Sequence, residues 1–187
     1  MNYVNIIIKN KEAKNRFDRL PKKTKEILSN CKLVVLDFDG VITNNKVLID
    51  REGLEYVQCD RSDFFGYKEL VALGLKFIII SAEANNIVVS RANKLKIKAY
   101  HGVTNKLIEL QKQTKSRKIS LKNTIYVGND LNDLDCLRAV GLPIAVKDSY
   151  PPVIDFVQKT KGYITKSSGG DGAVREILEL LLIAKTI

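Results

Sequence analysis

Histidine is almost absent from this chain: His101 is the only one among 187 residues. It stands near a strand end, where an imidazole commonly serves as a hydrogen-bonded structural group, and it is not assigned as a catalytic base. Cysteine is scarce too. Cys31, Cys59 and Cys136 are an odd number without metal-ligand spacing, which argues against a disulfide framework and for reduced thiols in a cytosol. No apolar run approaches the ~20 residues that a membrane span needs. Met1 to Lys9 holds too short an apolar segment, and no cleavage site, for a signal peptide. Aromatic residues do not interleave with the lysines, so a net charge of +10, from 31 Lys plus Arg against 21 Asp plus Glu, reads as a solvated basic surface. Such a surface can attract an anionic substrate. Nucleic-acid binding rests on charge alone and ranks last.

With 187 residues and 45% hydrophobic content, one domain with a full core is expected. Its organising stretch is Leu33-Val-Val-Leu36 followed by Asp37-Phe38-Asp39-Gly40-Val41-Ile42-Thr43. The apolar run is a buried strand. In an open α/β sheet ligands bind at the carboxyl ends of the strands, and here two aspartates stand two residues apart. Two such carboxylates repel by roughly 4 kcal/mol at an effective dielectric near 20, so they ask for a proton or a divalent cation between them. Taken alone, these residues fit a solvated turn equally well.

The rest of the chain alternates strands with helices, which predicts a parallel sheet with helices on both faces. Residues 1–30 form a lysine-rich extension, with a helix starting at Pro21, and the domain runs over 31–187. Val47–Ile49 and Leu54–Val57 flank Asp50-Arg-Glu-Gly53, a hairpin spanning about 42–59. Strands follow at 75–81, 97–100, 123–128 and 141–146, and helices through Ala72, at 86–95, 106 onward, 134–140 and 151–159. Arg61 either grips a substrate carboxylate with two hydrogen bonds or stands in solvent at a helix N-terminus. Ser81 closes the second buried strand. Gly169-Gly-Asp-Gly172 opens the last helix, and a Gly-rich loop without a preceding strand is weak support for phosphate binding.

Asp37-x-Asp39-Gly40-Val-Ile-Thr43, Ser81, Lys106 and Gly128-Asn129-Asp130-x-x-Asp133, in that order, resemble the four motifs of the haloacid dehalogenase (HAD) superfamily. The segments Arg61-Ser-Asp-Phe64 and Gly169-Gly-x-Gly-Ala-Val-Arg175-Glu resemble the branch that contains octulosonate 8-phosphate phosphatases, sialic acid 9-phosphate phosphatases and the phosphatase-like domains of acylneuraminate cytidylyltransferases. The likeness covers about Cys31 to Leu182. It implies a Rossmann-like α/β fold without a cap domain, its hairpin serving as a flap around which four subunits assemble.

The resemblance also implies roles. Asp37 is the nucleophile, Asp39 the general acid and base, and Lys106 neutralises the phosphoryl group. Gly40, Ser81, Ala82 and Arg61 contact the substrate, and Arg175 does so from a tail that closes over a neighbouring subunit's active site. Asp37, Asp39, Asn129 and Asp130 bind Mg²⁺. The expected enzyme is a cytoplasmic, Mg²⁺-dependent phosphatase acting on a phosphorylated 2-keto-3-deoxy sugar acid, and Ser81-Ala82-Glu83 is worded like the sialic-acid-related members. Three departures stand out: Asn129 replaces an aspartate, Phe64 a glycine and Asn105 an aspartate. They support the alternative of a weak or inactive oligomerisation module beside a cytidylyltransferase.

Overall fold

The run at 33–36 becomes the middle of a six-stranded sheet in a computed structural model that describes residues 3–187. The strands are β1 (Leu33–Leu36), β2 (Thr43–Ile49), β3 (Glu55–Cys59), β4 (Lys76–Ile80), β5 (Lys98–Tyr100), β6 (Thr124–Gly128), β7 (Leu142–Ala145) and β8 (Tyr163–Ile164). Six of them form one parallel sheet in the order β5-β4-β1-β6-β7-β8. β1 pairs with β4 on one side and β6 on the other. The chain therefore winds outward in both directions from β1, and a crevice opens at the carboxyl end of that strand. β8 has only two residues, too few to leave a pattern in the sequence.

The helices are α1 (Tyr3–Lys9), α2 (Lys11–Asp18), α3 (Lys22–Asn30), α4 (Tyr67–Ala72), α5 (Ile87–Leu95), α6 (Lys106–Ser116), α7 (Leu134–Ala139), α8 (Pro151–Lys159) and α9 (Ala173–Thr186). Both faces of β1 are covered. Val34 and Leu36 join a core built with α5 and α9, whereas Leu33 and Val35 join one built with α6, α7 and α8. That two-sided burial is why the strand is apolar throughout rather than alternating.

Helix α9 is buried nearly all round, as a helix without a polar face must be. Its outer side is covered by α1, α2 and α3, which lie in the stretch expected from the sequence to be an extension. Ile7, Ala13, Phe17 and Leu28 belong to the same core as Val174, Ile177 and Leu181. The Lys185 ammonium donates to the carbonyls of Ser29 and Cys31 at 2.6 and 2.7 Å, tying the end of α9 to the end of α3.

β2 and β3 form a separate antiparallel hairpin with a register irregularity between Thr43 and Val47. Its strands leave Val47, Leu48, Ile49 and Tyr56 exposed, Leu48 at 70%. Among the described residues all three cysteines are free. Burial pushes the Cys31 thiol up to about 11 and Cys136 up to about 12, so neither is a nucleophile at neutral pH.

Asp63, just before α4, is fully buried against the start of α9. One carboxylate oxygen accepts the backbone N–H of Arg175 at 3.2 Å, and the other has no partner among the described residues. Burial raises its pKa from the ordinary 3.8 to about 6. The folded protein thus holds a proton that the unfolded chain releases, and stability falls as pH rises between 3.8 and 6, by about 3 kcal/mol at most. Asp63→Asn keeps an acceptor for Arg175 without the charge. Thermal melts should show a higher Tm for the variant at neutral pH and little change near about pH 4. A lower Tm at neutral pH would contradict this account of Asp63.

Candidate active site

Asp37 follows the last residue of β1 and is 4% exposed. Its backbone N–H donates to the Val127 carbonyl, extending the pairing with β6 by one step, and its Oδ1 accepts the Phe38 N–H at 2.7 Å. Oδ2 faces the Lys106 ammonium at 2.8 Å. Lys106 is the first residue of α6, and the N-cap before it is Asn105, whose Oδ1 accepts the Ile108 N–H at 3.0 Å. Asparagine caps a helix about as well as aspartate, so this departure from the family pattern keeps the local fold intact.

Lys106 also bonds Asp133 Oδ1 at 2.8 Å. Asp133 is fully buried, accepts the Tyr126 hydroxyl at 2.8 Å, and takes the backbone N–H groups of Asn129 and Asp130 at 2.9 and 3.3 Å. It is therefore the clamp that sets the ammonium, the Asn129 turn and β6 relative to one another. The motif alone assigns Asp133 no such role. The available signal was an acid at the end of that motif, four residues after the presumed metal ligand.

Burial lowers the Lys106 pKa and the two carboxylates more than restore it, leaving it raised. Asp37 is pushed up, first by burial and then by the charge of Asp133, with Lys106 opposing. Two buried carboxylates against one ammonium leave a net negative charge, which a cation in the pocket would balance.

Asp39 is partly buried beside the pocket, with the Thr43 hydroxyl 3.5 Å from its Oδ1. Its pKa is raised, mainly by burial and next by the Glu83 carboxylate. A carboxyl group whose pKa is raised keeps its proton more readily than an exposed aspartate does, the direction a general acid needs. Gly40 turns with φ +76°, and a Cβ there would lie 2.0 Å from the Asn129 amide nitrogen, so only glycine lets the two loops approach this closely.

Asn129 is 6% exposed, and its Oδ1 has no hydrogen-bond partner among the described residues. Asp130 is exposed and caps the short 3₁₀ turn Leu131–Asp133, accepting the Leu131 N–H at 2.6 Å. Among the described residues no three His, Cys, Asp or Glu side chains gather into a metal-holding group. The oxygen donors that share one cavity include Asp37, Asp39, Asp130 and the unpaired Asn129 amide oxygen. All are hard oxygen donors of the kind Mg²⁺ takes, together with waters.

Asp37, Asp39, Ser81, Ala82, Glu83, Lys106, Asn129 and Asp130 line one cavity of about 100 Å³, together with Asn45 and Asn132. The Ser81 Oγ accepts the Glu83 N–H at 3.0 Å, which leaves its own hydrogen for an anion in the pocket. A space of this size suits a phosphoryl group and an ion, and is well below the several hundred Å³ typical of whole-ligand pockets.

Arg61 and Arg175 do not line it. Arg61 borders a larger cavity of about 360 Å³ with Phe64, Tyr67 and Lys94. Arg175 pairs with Glu179 at 2.8 Å and lies over the Phe65 ring. Phe64 stands edge-on to Tyr67 on that same larger cavity, so it does not occlude the site at Asp37. The larger cavity holds none of the converging acids.

The fold has counterparts. The haloacid dehalogenase-like hydrolase family matches residues 64–177. A 3-deoxy-D-manno-octulosonate 8-phosphate phosphatase of Escherichia coli K12 is 33% identical over 157 residues, 83% of this chain and 81% of that protein. The crystal structure of a 3-deoxy-D-manno-octulosonate 8-phosphate phosphatase from Moraxella catarrhalis, in complex with magnesium, phosphate and a KDO molecule, superposes with a TM-score of 0.80 at 31% identity, covering 87% of this chain and 91% of the other. A cobalt-bound deoxy-D-mannose-octulosonate 8-phosphate phosphatase from Haemophilus influenzae gives a TM-score of 0.77 at 27% identity, over 85% and 91%. With a family match over most of its length and a relative of this identity and coverage, the chain belongs to the haloacid dehalogenase-like hydrolases.

Proposed function

We propose that this chain is a Mg²⁺-dependent phosphatase that hydrolyses the phosphate ester of a 2-keto-3-deoxy sugar acid. The observation that carries the reading is the Lys106 ammonium, 2.8 Å from both Asp37 and Asp133, in a cavity shared with Asp39 and the unpaired Asn129 oxygen. Asp37 Oδ attacks phosphorus in line with the ester oxygen, and a P–O bond to the aspartate forms as the bond to the sugar oxygen breaks. Asp39 gives its proton to that leaving oxygen, then takes one from the water that cleaves the acyl phosphate. Lys106 and Ser81 hold the non-bridging oxygens. Asp37, Asn129, the Asp39 carbonyl and Asp130 would hold Mg²⁺, which supplies the positive charge that lets an anionic nucleophile meet an anionic ester.

The small cavity fits the phosphoryl end alone, so the sugar acid extends out of it. Relatives named as octulosonate 8-phosphate phosphatases favour that substrate, whereas Ser81-Ala82-Glu83 favours a sialic acid 9-phosphate. Phosphate release from the two compounds, at matched concentration with Mg²⁺, decides between them. A preference of at least about tenfold in kcat/KM for either assigns the sugar, and no release from either contradicts the reading.

The exposed apolar strands of the hairpin support assembly, since an uncovered edge of this kind asks for a partner. A homotetramer joined through β2 and β3 is the expected form. Sedimentation equilibrium should report four chains, and a stable monomer would contradict it. Among the described residues no helix is long and apolar enough to cross a membrane.

A further inference from the structure

Glu176 sits in the first turn of α9 and is 2% exposed. A carboxylate this deep needs several hydrogen bonds or an opposite charge, and it has both. Its oxygens accept the backbone N–H of Lys166 at 3.1 Å and of Ser167 at 3.2 Å, and the hydroxyl of Tyr163. The Arg16 guanidinium reaches it from α2 at 3.5 Å. None of these groups lines the catalytic cavity.

The chain that Glu176 grips continues directly onto the catalytic loop. The Gly169 N–H donates to Asp148 Oδ1 at 2.9 Å, and the Gly170 N–H donates to the Val41 carbonyl at 3.0 Å. The two backbones lie flush: a Cβ on Gly169 would stand 1.9 Å from the Gly40 carbonyl oxygen, and one on Gly170 2.4 Å from the Asn44 nitrogen. The glycine-rich strap therefore backs the loop that carries Asp39 and seats Gly40 against Asn129. It does not form a phosphate cradle of its own.

We propose that Glu176, charge-matched by Arg16, is a positioning residue for the active site. By fixing residues 166–170 it sets the placement of the Gly40–Asn44 backbone, and hence of Asp39 relative to Asp37. Residues 1–30 thereby contribute to turnover through α2, without touching substrate. The effect on rate rests on the phosphatase reading, but the effect on the loop does not.

The test combines hydrogen–deuterium exchange with the kinetics of p-nitrophenyl phosphate hydrolysis in Mg²⁺, for the full chain and for Glu176→Gln, Arg16→Met and Arg16→Lys. Expected are faster exchange in peptides covering 38–44 as well as 163–172, and a kcat lowered about tenfold with KM changed less than about twofold. Arg16→Lys should recover most of the loss suffered by Arg16→Met. Faster exchange confined to 163–176, with kcat unchanged, overturns the proposal. If Glu176→Gln does not fold, the Arg16 pair decides by the same readouts. If the unmodified protein hydrolyses neither this ester nor either sugar phosphate, the phosphatase reading has failed. Exchange at 38–44 then decides the positioning claim alone.

Discussion

Asp37→Asn is expected to abolish turnover, lowering kcat by at least about 10⁴-fold while leaving the protein folded. An amide is close to isosteric with the carboxylate but keeps one oxygen, which can accept either the Phe38 N–H or the Lys106 ammonium while its NH₂ faces the other. What disappears is the proposed nucleophile, together with one negative charge. Because the folded protein no longer holds two carboxylates around one ammonium, Tm should stay level or rise. Activity within about tenfold of the unmodified protein would remove Asp37 from the nucleophile's role. A collapse in Tm would instead mean that the carboxylate serves chiefly to bind Lys106.

Lys106→Met has the second largest expected effect, and it falls on stability as well as rate. The methylene stem is roughly replaced, but Asp37 and Asp133 are left facing each other in a buried site without their shared cation. Removing one partner from a buried charge cluster typically costs about 3–5 kcal/mol. Loss of a fixed charge that stabilises the phosphoryl transition state costs about 10²–10³-fold in kcat. Urea denaturation and steady-state kinetics on the same preparation separate the two losses. High concentrations of Mg²⁺ should restore part of the stability, since a divalent ion supplies the missing charge to Asp37. Unchanged stability without metal would show that the two aspartates do not depend on this ammonium.

Much of the crevice is legible in the sequence because its acids and its lysine stand at strand ends and a helix start, where local pattern fixes placement. Leu33–Leu36 could only be buried on both faces, so Asp37 had to emerge at the carboxyl end of a central strand. Lys106 opens a helix behind an asparagine cap, a signal carried by neighbouring residues.

Contacts between distant segments left no comparable trace. Nothing in a lysine-rich first thirty residues announces that Ile7, Phe17 and Leu28 cover α9, because short amphipathic helices there look the same whether they pack or not. Arg61 and Arg175 sit beside familiar wording, yet one borders a separate cavity and the other is spent on Glu179 and Phe65. Motif order locates a residue along the chain but does not aim its side chain. Asp133 shows the converse, a residue whose three-way role emerges only when β6, α6 and the Asn129 turn are seen together.

Asn129 bears most directly on whether the enzyme is active. A neutral amide gives the cation one fewer negative charge, while its buried, unpaired oxygen in the cavity with Asp37 and Asp39 is an acceptor awaiting a hard cation. The account holds the site to be working rather than retired.

The measurement that tests this most directly is mass spectrometry of the protein quenched in acid during turnover of the preferred sugar phosphate, with Mg²⁺ or with chelator. One phosphoryl group on the peptide containing Asp37, present with metal and absent with chelator or in Asp37→Asn, is the predicted result. Steady phosphate release with no adduct on that peptide, and undiminished in Asp37→Asn, would contradict the account.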